Sequence, residues 1–431
     1  MPSPSSARIA GSSSASDADT LSVADAQKII LSHVQAIVDT DTAPLKQALG
    51  RVLAADIVSP INVPAADNSA MDGYALQSAD LGLAPPDSTV TLKIAGHAFA
   101  GHPFSDSVRA GTCVRIMTGA VIPDGCDAVL PRELARCTSD SEVTLPSHFA
   151  TPGLNIRRAG EDLAIGQAAL RQGRLLTPAD LGLLASLGFA SIRLMRRLRV
   201  AHFSTGDELR SAGQTLEAGS VYDSNRYTLH GMLTRAGFEA IDLGLVKDDP
   251  AAIEAAFHSA SEQADAVITS GGVSAGDADY TRQMMARLGD VAFWKIAMRP
   301  GRPLAFGKLD LNGKRTLLFG LPGNPVATMV SFYFFARPAL YALAGAQPPA
   351  PVTVRAASDA DIHKKPGRTE YQRGLLSVTA EGQLLARTTG AQGSGILSSM
   401  TEANCMIVLP DSQGPVRKGD HVDVLLFDGL I

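Results

Sequence analysis

Cysteine is scarce in this 431-residue chain and never paired: Cys113, Cys126, Cys137 and Cys405 stand far apart, with no CxxC. That usage argues against a disulfide framework and predicts reduced thiols in a cytosolic protein. The nine histidines show neither HxH nor HxxxH spacing, so no histidine metal site is expected. An excess of positive charge is also missing. A net charge of −5 excludes a general nucleic-acid binder, which needs a basic face, but leaves room for a small anion held by a few local cations. The Ser/Ala-rich start has no apolar core, so residues 1–19 read as a disordered tail rather than a secretory signal. The most apolar stretch, "PVATMVSFYFFARPALYALAGA", is interrupted by Arg337 and Pro338. It reads as a buried helix and not a membrane span. No internal repeat is visible.

What is present is an ordinary globular balance, 45% hydrophobic and 19% charged, over a length that calls for several domains. "SVADAQKIILSHV" (22–34) has helical spacing behind a serine cap. From about 45 to 165, short β-rich runs alternate with Gly/Pro/Asp turns, which predicts a small β domain. "TPADLGLLASLG" (177–188) returns to helix, with Thr177 as cap and Pro178 in the first turn. From 197, strands and helices alternate: "LRVAHFS", "SNRYTLHGMLTRAG", "FEAIDLGLV", "AAIEAAFHSASEQA", "DAVITS", "YTRQMMARLG", "RTLLFG" and the long apolar helix. That order predicts a doubly wound parallel sheet. After the proline-rich "AGAQPPAP", evenly spaced short strands predict a compact β barrel or sandwich.

Ligands of open parallel sheets bind beyond the carboxyl ends of the strands. "TGDEL", "KDDP", "TSGGVSAGDADY" and "LPGNP" each follow a strand, so all four fall on one edge. Each alone also has a plain structural reading. Asp207 or Glu208 could be solvated, Asp248 or Asp249 could cap a helix, and "LPGNP" could be turn chemistry. Together they make a candidate site. Gly271, Gly272 and Gly276 can bring backbone N–H groups to a phosphate or pterin, beside Ser270 and Ser274. The loop is neither a Walker motif nor GxGxxG. Glu208, Asp248 and Asp279 can jointly hold a divalent cation such as Mg²⁺, which takes oxygen ligands and shares them with phosphates. Asp277 reads as a cap for the next helix. "WKIAMRPGRPLAFG" supplies Lys295, Arg299 and Arg302, a basic face suited to an oxyanion or polyphosphate, or else a solvated cationic loop. In the β domain, "PAADNSAMDGYAL", "RIMTGAVIPDGCDAVLPRE" and "NIRRAGEDL" concentrate polar residues that spacing alone cannot separate from turns.

These residues carry a resemblance. The motifs "DNSAMDGYA", "IMTGA", "IRRAGED", "STGDEL", "TSGGVSAGDADY", "RPGRP", "GLPGNPV" and "GRTEYQRG" occur in family-like order, so the chain from about 20 resembles the molybdopterin molybdenumtransferase (molybdenum insertase) family and is similar to the gephyrin E domain. The resemblance implies an α/β multidomain fold: a discontinuous helical segment (20–46 and 167–196), a β-rich domain (47–166), a doubly wound domain (197–345) and a C-terminal β barrel (346–431). It implies a cytoplasmic homodimer whose cleft lies between the doubly wound domain of one subunit and the β-rich domain of its partner. The implied reaction takes adenylated molybdopterin and molybdate to the molybdenum cofactor with release of AMP, dependent on Mg²⁺ or a similar divalent cation. The molybdopterin adenylyltransferase and downstream cofactor carriers are the implied protein partners. By motif, the catalytic set carried over is Asp67, Thr118, Asp162, Glu208, Asp248, Asp279, Lys295 and Arg299, the last standing where many relatives have lysine. The pterin and oxyanion contacts expected are Thr205, Gly206, Ser270, Gly271, Gly272, Ser274, Gly276, Pro322, Gly323, Asn324, Arg302 and Ser398. Adenylyl transfer to molybdopterin, a non-catalytic pterin-binding scaffold, and a tungstate-using paralogue stay open beside this reading.

Overall fold

Residues 201–205, 266–270 and 316–321 are buried along their whole length, which is the pattern of strands covered on both faces. In the computed structural model they are the centre of a seven-stranded sheet. The structure describes residues 20–85, 87–149, 151–273, 280–311, 313–348 and 350–427. In spatial order the sheet strands are Thr20–Leu21, Gly289–Ile296, Pro303–Leu311, Lys314–Leu321, Ala266–Ser270, Arg199–Thr205 and Glu239–Val246. The last four run parallel, as the alternating pattern predicts. The other edge differs: Pro303–Leu311 is antiparallel to both of its neighbours, forming a hairpin in which Leu311 pairs with Lys314.

Helices cover both faces. The helix Pro325–Leu343 is the only described one long and apolar enough to cross a membrane, and 72% of it is buried against this sheet and its neighbours. It widens into a π turn at Phe332–Ala336. Such a turn disturbs the carbonyl ladder, and the Phe334 carbonyl accepts a hydrogen bond from Gln27 Nε2 at 2.9 Å. Gln27 belongs to the helix Val23–Ser32, capped by Ser22 and packed through Ala26 and Ile30 into the same core. Residues 20–32 thus sit on the α/β unit. The segment grouped with them by the resemblance pairs elsewhere: Thr40–Pro44 with Ser191–Met195, and Ile57–Val58 with Ala168–Leu170. The helix Pro178–Ser186 closes that small unit, with a Thr177–Asp180 capping box.

The β-rich unit is a six-stranded sheet buried on both faces, with Tyr74 and Leu76 in one core and Ala75 in the other. The C-terminal unit closes into a five-stranded barrel, because Thr369–Val378 pairs with both Leu384–Thr388 and Cys405–Leu409. A short parallel pair, Met298–Arg299 with Thr369–Glu370, fastens that barrel to the α/β unit.

One ion pair pins the opposite, amino-terminal end of the sheet. Arg196 grips Asp265 with two hydrogen bonds of 2.7 and 2.8 Å, and the Arg199 N–H donates a third at 2.9 Å. Burial pushes the Asp265 carboxyl up, but the Arg196 guanidinium and that N–H outweigh it, so the net pKa is lowered. A depressed carboxyl contributes stability above its unfolded value of about 3.9 and loses it as pH falls toward the folded value. Asp265→Ala should therefore cost about 2 kcal/mol at neutral pH, less than a fully buried pair because Arg196 is partly solvated. Urea unfolding should show the gap to wild type narrowing below about pH 4. A gap that is independent of pH would count against this account.

Candidate functional site

Strand register builds the site. Ser204 pairs with Ser270, Ser270 with Leu321, and Thr205 with Val246, so four strands end in one row. The loops 206–208, 247–249, 271–273 and 322–324 leave from that row and border a cleft of about 1000 Å³. Its lining brings together Thr205, Gly206, Glu208, Asp248, Ser270, Gly271, Gly272, Arg299, Arg302, Pro322, Gly323 and Asn324. Ser274, Gly276 and Asp279, with Asp277, lie outside the described residues.

The glycines are there for shape. Gly271 has φ +90°, and a Cβ on it would lie 2.7 Å from the Thr205 carbonyl oxygen. Gly272 has φ +64°, and its Cβ would lie within 2.4 Å of the Thr281 side chain. The Gly271 N–H donates to the Leu321 carbonyl at 3.1 Å. The expectation that it serves as a donor for an anion is therefore corrected: Gly271 lets the loop pass close to the strand ends.

Hydroxyls and carboxylates lock the loops together. Ser204 Oγ donates to Asp223 Oδ1 at 3.0 Å and lies 2.8 Å from Ser270 Oγ. Asp223 Oδ1 also accepts the Arg226 N–H, and Asn225 Nδ2 donates to the Gly323 carbonyl at 2.7 Å. Asp223 and Asn225 line the cleft. The sequence reading passed over them because "DSN" at a helix start looks like ordinary cap chemistry. On the same strand as Ser204, burial pushes the His202 imidazole down to about 4 against the pull of Asp242, so it is neutral near pH 7. The Asp248/Asp249 alternative is resolved: Asp249 Oδ1 caps the helix Pro250–Gln263 through the Ala251 and Ala252 N–H groups, and Asp248 lines the cleft.

The barrel adds a wall that the sequence reading missed, made of Arg368, Gln392, Ser394 and Gly395. Arg368 enters because Thr369 and Glu370 pair with Met298 and Arg299. Three guanidiniums, Arg299, Arg302 and Arg368, thus share the cleft with Glu208. Among the described residues, no salt bridge joins any of these four groups. Lys295 is not part of the lining. Strand alternation sets it apart from buried Trp294 and Ile296, half-buried and opposite Thr20. Ser398, exposed at the start of a short helix, is outside the lining too.

The β-rich motifs meet on a separate face. Asn68 bridges Val121, and Asn68–Ser69 pairs with Ile156–Arg157. Asp67 accepts the Ala159 N–H at 2.8 Å and pairs with Arg158, which together hold its carboxyl below its ordinary value. Thr118 donates its N–H and hydroxyl to Asp72 Oδ1 at 2.8 and 2.7 Å. The Asp162 N–H donates to the Val63 carbonyl. The loops that carry Asp67, Thr118 and Asp162 therefore meet within the β-rich unit, and none of the three lines the cleft of this chain. Among the described residues, no group of three or more His, Cys, Asp or Glu side chains is placed to hold a metal.

Fold and cleft define the class: a multidomain α/β protein with its cleft at the carboxyl edge of the sheet, walled by a β barrel. Residues 201–342 match the probable molybdopterin binding domain, residues 21–188 the MoeA N-terminal region (domain I and II) and residues 355–427 the MoeA C-terminal region (domain IV). The chain is 43% identical over 412 residues to the molybdopterin molybdenumtransferase of Haemophilus influenzae, covering 95% of this chain and 100% of that one. It is 35% identical over 398 residues to that of Bacillus subtilis, covering 91% of each. The crystal structure of the molybdopterin biosynthesis MoeA protein from Pyrococcus horikoshii is similar, with a TM-score of 0.79 at 29% identity over 95% of this chain and 100% of that one. The chain belongs to the molybdopterin molybdenumtransferase family.

The glycine geometry gives a direct check. Gly272→Ala should destabilise the chain by about 2 kcal/mol, combining a strained φ with a clash. Thermal unfolding with a midpoint equal to wild type would remove the requirement argued for Gly272.

Proposed function

We propose that this chain inserts molybdenum, converting adenylated molybdopterin and molybdate to the molybdenum cofactor with release of AMP. The observation that carries the reading is the set of unpaired charges: Glu208 and three guanidiniums in one cleft, none spent on another. Charges that have acceptable partners nearby yet stay unpaired are available to a ligand that carries both an anion and a cation. In the reaction, water adds across the phosphoanhydride to give AMP and the pterin phosphate. Two molybdate oxygens leave as water, with two protons from the thiols and two from solvent, as the two pterin sulfurs take their places. Molybdenum keeps its oxidation state, and no cysteine is needed.

Arg299, Arg302 and Arg368 bind and orient the oxyanion, as planar donor forks suit tetrahedral oxyanions. Lys295 contributes only longer-range charge. Thr205, Gly206, Ser270, Gly272, Pro322, Gly323 and Asn324 shape the pterin and phosphate floor. The lining carboxylates Glu208 and Asp248 are hard oxygen donors without histidine or cysteine, a set that fits Mg²⁺ or a similar cation. They would hold it, with Asp279 a third ligand in this reading. When bound, such a cation offsets charge on the pyrophosphate and polarises the phosphoryl group.

The loops carrying half-buried Asp67 and exposed Thr118 and Asp162 fit the other half of this reading. In a homodimer, these loops would cover the partner's cleft. Residues 20–46 with 167–196, 47–166, 197–345 and 346–431 would then act as four domains, with residues 20–32 docked on the third. The same reading places the chain in a cytoplasmic setting, with the adenylyltransferase upstream and cofactor carriers downstream, and gives Ser398, outside the cleft of its own chain, no direct contact.

Glu208→Gln and Asp248→Asn should each lower molybdate-dependent AMP release by roughly 100-fold without loss of fold, the scale expected for removing a metal ligand. Full activity in either variant would sink the carboxylate assignment, and ATP consumption with free molybdopterin would favour adenylyl transfer. Co-expressing Asp67→Asn and Glu208→Gln chains tests the shared cleft. Random pairing leaves one intact site in mixed dimers, so about a quarter of wild-type activity should return. Mixed dimers with no activity would place Asp67 outside the partner's site.

A further inference from the structure

Arg373 is among the largest fully buried side chains in the protein, with 1% of its surface exposed. A buried guanidinium ordinarily sits against a carboxylate, because an unpaired charge is costly to desolvate. Among the described residues, Arg373 has no such partner. Its Nε donates to Ser399 Oγ at 2.9 Å, and Nη2 donates to the Gly393 and Ala391 carbonyls at 2.9 and 3.4 Å. Its backbone N–H donates to Gln392 Oε1 at 2.8 Å, and its carbonyl accepts from Gln392 Nε2. Every partner of its side chain lies between residues 391 and 399.

That segment carries the barrel's contribution to the cleft. Gln392, Ser394 and Gly395 line the cleft, and the Ser394 carbonyl accepts the Val326 N–H at 3.0 Å, in the first turn of the long apolar helix. The loop is strapped between that helix and Arg373. Arg373 also borders a side cavity of about 340 Å³ together with Arg299, Pro300 and Gln392, whose wall carries Asp361 and Glu370 as well, neither of them ion-paired to Arg373. Burial and the nearby Arg299 together push Arg373 down to about 10, which leaves it charged near neutral pH.

We infer that Arg373 is a positioning residue for the oxyanion half of the site: it fixes the 391–395 loop, and its uncompensated charge adds to the field of Arg299. The inference rests on the reading that the cleft takes molybdate. A residue that acts only on the oxyanion side has a kinetic signature a merely structural residue lacks.

The test measures AMP release by the full-length protein while molybdate and adenylated molybdopterin are varied separately. Arg373→Met, which removes charge and fork, should raise KM for molybdate by about tenfold or more, with kcat and KM for adenylated molybdopterin within about threefold. Arg373→Lys, which keeps the charge and loses the fork, should fall between Met and wild type. Ser399→Ala removes one acceptor from a neutral position and decides the matter if Arg373→Met does not fold; it should raise only KM for molybdate, by about threefold. An unchanged KM for molybdate, or KM values for both substrates rising alike, overturns the inference. Wild-type protein that releases no AMP with molybdate would instead overturn the proposed function, so the two failures are distinguishable.

Discussion

The Ser204–Asp223–Ser270 network is where the sheet, the helix Asn225–Arg235 and the glycine loop become one object. Parallel register sets Ser204 beside Ser270 and Ser270 beside Leu321, but register alone leaves the loops beyond them free to splay. Asp223 removes that freedom by accepting from Ser204 Oγ and the Arg226 N–H at once, while neighbouring Asn225 holds the Gly323 carbonyl. Three crossover connections are thereby tied at their strand ends. A buried carboxylate without partners costs free energy; Oδ1 of Asp223 has two donors while Oδ2 has only the Arg226 guanidinium at 3.9 Å, so losing either Oδ1 donor would be penalised further.

Much of this was legible in the residues. Fully apolar strands alternating with helices announced the parallel half of the sheet, and the position of four polar loops after those strands placed a cleft at one edge. What failed to show was whatever depends on long-range pairing. The hairpin 303–321 was hidden because "RTLLFG" reads equally as a parallel strand, although an Asn-Gly pair precedes it. Lys295 looked like a partner for Arg299 by proximity in sequence, but it lies opposite Thr20 at the edge of the sheet and does not line the cleft. Arg368 lies inside the motif "GRTEYQRG", but nothing local marks it or Ser394 as lining the cleft. Their place is set by Thr369–Glu370 joining Met298–Arg299 across about 70 residues of chain, and by the loop beneath Arg373, which also reaches across to the Val326 N–H.

The two acidic motif sets of the chain are treated in opposite ways. Asp67 is satisfied within its own unit by Arg158 and the Ala159 N–H, and Asp72 by Thr118, so that face is rigid and its charges are largely spent. On the cleft side, Glu208 stands close to the Gly206 backbone, where an added Cβ would lie 2.7 Å from its carboxylate, and it has no ion-pair partner among the described residues. A rigid face with committed charges suits a lid that must dock in one way. A face with uncommitted charges suits ligand capture.

Keeping opposite charges apart in one cleft requires that they stand on different supports. Arg210, two residues from Glu208, does find a carboxylate, Glu217 at 3.2 Å, and Arg226 in the helix Asn225–Arg235 stands 3.5 Å from Asp242. Had Arg299, Arg302 and Arg368 come from those segments, the same collapse into exposed ion pairs would be expected, with little stability gained. Here one support is the sheet edge and the other is a loop pinned to a separate barrel. The barrel's attachment through Met298–Arg299 and its bracing through Arg373 hold the guanidiniums at a fixed remove from Glu208. Separation of the charges, more than their number, is what leaves charge of both signs uncommitted in one cleft.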